Sequence, residues 1–97
     1  MQNLSYYTSK VQTEKEKQFI TVFYNNVIYY LAEVEEDSND CHYSDIDIND
    51  MAGLLGWSKE SSKGVLSSLM NKQILYTYEN LIYFYEYMDI VDNYYEV

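Results

Sequence analysis

Residues 47–85 read DINDMAGLLGWSKESSKGVLSSLMNKQILYTYENLIYFY, and no other stretch constrains the fold as much. Asp47 or Asn49 is a good N-cap, because a short side-chain oxygen satisfies a free amide of the first helical turn. Ile48, Met51, Leu54 and Leu55 then form the apolar stripe of a helix of about two turns. Gly56 ends it, since glycine enters the left-handed region without a Cβ penalty. Ser58 caps a second helix over 58–72, whose apolar side is Val65, Leu66, Leu69 and Met70. Lys59, Glu60, Ser62, Lys63 and Ser67 are placed on its exposed side. Trp57, in the turn, is expected to lock the two helices together. Residues 74–78 and 81–85 follow as strands around Glu79-Asn80. A two-residue loop sets Tyr76 opposite Tyr83 and Leu75 opposite Phe84. Leu75, Ile82 and Phe84 then face the core, and Ile74, Tyr76, Tyr78, Leu81, Tyr83 and Tyr85 face away. A different loop length swaps the faces.

Upstream, Thr13-Glu14-Lys15-Glu16 fits a capping box. It opens a long helix in which Phe19, Val22, Phe23, Val27, Tyr30, Leu31 and Val34 recur at helical spacing. Ile20, Tyr24 and Ile28 widen its apolar face. Residues 1–12 read as a flexible arm or a short lead-in helix. Residues 35–45 crowd acids with Ser and Asn and read as a loop, after which Tyr43 or Ile46 starts a short edge strand. Tyr87, Ile90, Val91, Tyr94 and Tyr95 fit one face of a terminal helix. The whole is expected to be one α+β domain over 1–97, because 97 residues bury a modest core and leave little room for a deep cleft.

The helix, glycine turn, helix and hairpin over 48–82 resemble the winged helix-turn-helix domains of MarR-like transcription regulators and of similar phage and plasmid proteins. That resemblance covers about a third of the chain. It implies a small winged helix: long N-terminal helix, helix-turn-helix, two-stranded wing and C-terminal helix. It also implies that helix 58–72 reads DNA, with Lys59, Ser61, Ser62, Lys63, Ser67 and Lys72 as contact residues. A homodimer through the first and last helices is the expected assembly.

Charge complicates that role. The formal net charge is -10, and all six basic residues are lysine. DNA affinity comes chiefly from neutralised phosphates. Guanine and narrow minor grooves are usually met by arginine. Here the wing tip is Glu79-Asn80, and Gln73 stands where a glycine usually precedes the wing. Helix 58–72 is nonetheless a local excess, with Lys59, Lys63 and Lys72 against Glu60. The alternative is an acidic, protein-binding winged helix of phage type. It would act as a DNA mimic or inhibitor on a basic, nucleic-acid-binding host protein. In that case the tyrosine face, Tyr76, Tyr78, Tyr83 and Tyr85, supplies rigid contact area.

An enzyme is not expected, nor any cofactor. Cys41 and His42 fall short of the four ligands of a structural zinc site. Asp45 to Asp50 lack the glycine and final glutamate of a calcium loop. No phosphate-binding glycine loop or nucleophile elbow occurs. A lone cysteine suits a reducing compartment. No basic-then-apolar leader and no membrane-spanning stretch is visible, so a cytoplasmic location is expected.

Overall fold

The computed structural model describes residues 2–34 and 44–87. Most of the acidic loop, the Cys41-His42 pair and most of the predicted terminal helix lie outside the described residues. The elements are α1 (Leu4–Thr8), α2 (Glu14–Val34), α3 (Ile48–Leu55), α4 (Lys59–Asn71), β1 (Leu75–Tyr78) and β2 (Leu81–Phe84). A 3-10 turn (Tyr85–Tyr87) follows. The result is a small α+β fold, helices packed on a two-stranded antiparallel sheet.

The N-terminal segment is not a loose arm. Asn3 caps α1, its side chain accepting from the Tyr6 amide at 3.1 Å. Tyr7 is buried, its ring stacked 4.1 Å from that of Phe84. Its hydroxyl donates to Glu86 at 2.5 Å. Tyr7 and Val11 fill core space left by the other elements. Leu4, which packs on the same cluster, Tyr7 and Val11 stand at i, i+3 and i+7, a helical spacing over too few residues to set a short helix apart from a polar arm in the sequence.

Phe19, Ile20 and Phe23 of α2 are fully buried and form the centre of the core. Met51 of α3, Leu66 and Leu69 of α4, and Leu75, Ile82 and Phe84 of the hairpin close around them. Burial of this kind contributes roughly 25 cal/mol per Å² of apolar surface. Leu54 departs from the expected stripe of α3: it is 50% exposed.

Both helices of the central unit begin and end as their residues dictate. Asp47 accepts from the Asp50 amide at 2.8 Å, and Asp50 accepts from the Asp47 amide at 3.1 Å, a reciprocal capping box. Gly56 adopts φ 73° and donates to the Ala52 carbonyl. Ser58 accepts from the Ser61 amide at 3.1 Å and starts α4.

The hairpin has the two-residue register, with Leu75 opposite Phe84 and Tyr76 opposite Tyr83. Glu79 and Asn80 both take positive φ, 53° and 71°, as a type I′ turn requires. Ile74 is a correction: it is buried in the core and not on the outer face. Its amide bonds to the Leu69 carbonyl at 3.0 Å, so it closes the exit from α4 and lies outside the strand alternation. The preceding residue, Gln73, pays for that exit with φ 60°. The segment before α3 lies along β2. Ile82 donates to the Ile46 carbonyl at 2.9 Å, and Asp47 bridges Leu81 antiparallel.

Candidate interaction face

A groove of about 480 Å³ runs between α4, the start of α3 and the hairpin. Lys59, Lys63, Ser67 and Met70 line it from α4, Asp47, Ile48 and Asn49 from α3, and Thr77 and Asn80 from the hairpin. Four-residue spacing puts Lys59, Lys63 and Ser67 in one row, because four residues turn about 400° in a helix. All three are exposed. Neither lysine has an ion-pair partner among the described residues, where the Lys72–Glu16 pair is the one salt bridge.

The other three residues proposed for α4 are placed differently. Lys72 is nine residues beyond Lys63, about two and a half turns, and so leaves the opposite side of the helix. There its ammonium meets the Glu16 carboxylate at 2.6 Å. Glu16 is 4% exposed and also accepts from the hydroxyls of Ser68 at 2.6 Å and Thr13 at 2.9 Å. The Lys72 bond, then that of Ser68, holds the Glu16 carboxyl at about 2, against burial, which pushes the other way. Lys72 is therefore spent on joining α2 to α4. Ser62 is fully buried and donates to the Ser58 carbonyl at 2.9 Å. This corrects its expected exposure: it lies four residues after the cap residue Ser58 and one turn before Leu66, on the core side. Ser61 lies on the α2 side, where Lys15 donates to its hydroxyl at 3.5 Å.

The tyrosine face is also altered. Tyr76 and Tyr83 are 8% and 2% exposed, with rings 5.5 Å apart. Tyr78, Leu81 and Tyr85 pack on that pair. The two central rings thus lack the free area expected of a contact surface.

Several groove residues were not anticipated. Asn49, Thr77 and Asn80 come from three elements, and only the fold brings them together. Asp47 stands across from the two lysines, with Asp50 bonded to it. This puts carboxylates at a helix N-terminus, the kind of place that otherwise attracts phosphate. Among the described residues no group of three His, Cys, Asp or Glu side chains is disposed to hold a metal ion. No helix among them is long and apolar enough to cross a membrane. No protein-family model, curated protein or solved structure matches the chain.

Proposed function

We propose that the chain is a non-enzymatic winged-helix binding module of the cytoplasm, a regulator type that engages duplex DNA through α4. The element order and the isolated antiparallel bridge between Asp47 and Leu81, which sets the segment before α3 beside the hairpin, support this reading of the fold. The observation that carries the DNA role is the exposed row of Lys59, Lys63 and Ser67 beside the groove. Free ammonium groups on one helix edge suit adjacent phosphates, and Ser67 and Asn80 add hydrogen-bonding groups. These two lysines should contribute about -2 per protomer to the slope of log K against log salt. A homodimer doubles the contacts. The test is anisotropy of labelled duplex at graded salt. Lys59→Glu with Lys63→Glu is expected to abolish binding, and unchanged binding would remove α4 from the interface.

A second reading is favoured by the carboxylates. Asp47 lines the same groove as the two lysines, its side chain in a reciprocal cap with Asp50, and Glu79 adds a carboxylate at the hairpin tip next to the groove residue Asn80. An acidic winged helix of phage type, docked as a DNA mimic on a basic nucleic-acid-binding protein, uses them directly. It predicts no duplex retention in low salt, together with displacement of duplex from a basic DNA-binding protein.

A further inference from the structure

We infer that Lys15, on α2, is a third phosphate contact, and that α4 enters the DNA groove with its N-terminal turn between the two backbones. This rests on the DNA role of α4. The ammonium of Lys15 lies 3.5 Å from the Ser61 hydroxyl and 5.6 Å above the Trp57 ring. Trp57 is itself held at the edge of the core, 6.5 Å from Phe19. The cation is thus positioned beside the first turn of α4 by an aromatic face and a hydroxyl, and ammonium carries three donors.

Its side of the helix is what matters. Ser61 lies two residues from Lys59 and two from Lys63, about 200° around the axis from each. Lys59 and Lys63 flank α4 on the hairpin side, and Lys15 flanks it on the α2 side. A helix with its side chains is about 10–12 Å across, and a major groove is about 12 Å wide. Cations on opposite flanks of a helix that fills the groove reach opposite strands. Besides Glu16, the carboxylates nearest in sequence are Glu14, beside Lys15, and Glu60, between Lys59 and Ser61; both are exposed. Glu16 is occupied by Lys72, Ser68 and Thr13. Lys10 provides a control of equal charge. It follows α1 and lines neither flank of α4, with its ammonium 4.3 Å from the Tyr6 ring.

The experiment is anisotropy of a labelled 25-base-pair duplex, titrated with the full chain across a series of salt concentrations. Wild type should show a slope of about -3 per protomer. Lys15→Gln should make it shallower by about 0.9, as should Lys59→Gln, whereas Lys10→Gln should not. Lys15→Arg should retain the wild-type slope, which separates lost charge from a disturbed fold. If Lys59→Gln flattens the slope and Lys15→Gln behaves as Lys10→Gln does, the inference falls and the DNA role stands. If wild type does not bind in low salt, both fall.

Discussion

At the scale of single residues, Glu16 makes the fold's stability depend on acid pH. Its folded pKa is about 2, against an ordinary value of 4.5. A depressed carboxyl stabilises the native state fully above its unfolded pKa, and that contribution disappears as pH falls through the folded value. Stability should therefore decline from about pH 4.5 down to about pH 2, by on the order of 2–3 kcal/mol from this group. Glu16→Gln should be less stable at pH 7 and should lose most of that dependence, as read by denaturant midpoints across the acid range. The Thr13–Glu16 pattern marks a helix start in the sequence. Its main partners, Ser68 and Lys72, are 52 and 56 residues away, and nothing local announces them. Two glycines give a prediction of the opposite sign. A Cβ at Gly53 or Gly64 would meet nothing within 4 Å. Each change to alanine should stabilise the chain by about 0.5–1 kcal/mol, seen as a higher melting temperature. Gly56 differs, because its φ of 73° strains any side chain there.

At the scale of elements, local rules account for most of the architecture. Caps at Asp47 and Ser58, the glycine stop at Gly56 and the two-residue hairpin register are all short-range chemistry, and all are present. The misses arise where an element meets another. Ile74 belongs to a helix exit and not to a strand. Ser62 is set on the core side one turn before Leu66, and its bond to the Ser58 carbonyl satisfies the buried hydroxyl. Lys72 follows from helical phase alone: counting nine residues from Lys63 puts it on the far side, so that correction was available in the sequence. The hairpin tip is a further test. Glu79 holds φ 53° with a side chain poorly suited to it, and it is an exposed carboxylate next to the groove residue Asn80. Glu79→Asn should stabilise the hairpin by about 0.5–1 kcal/mol, since Asn is preferred at the first central position of a type I′ turn, and it leaves Asn80 in place. It should also raise duplex affinity if α4 and the hairpin act together, and thermal melts with parallel anisotropy check both effects.

For the whole molecule, charge decides what the face can hold. A net charge of -10 repels DNA at long range, but beyond a Debye length of about 8 Å at physiological salt the distant acids are largely screened. What remains is local: Lys59 and Lys63 on one flank of α4, Lys15 on the other, and Asp47 with Asp50 across the groove. Composition announces the acidity. It does not announce this segregation, which depends on α2 bringing Lys15 to the start of α4. A DNA-bound state built on so few cations should be weak at physiological salt and sensitive to each of them. The most direct measurement is duplex binding by wild type and by the Lys59→Glu, Lys63→Glu pair at low and rising salt. Salt-sensitive binding by wild type, lost in the pair, is the predicted result. No duplex binding by wild type at low salt, or binding unaffected by the two substitutions, would contradict it.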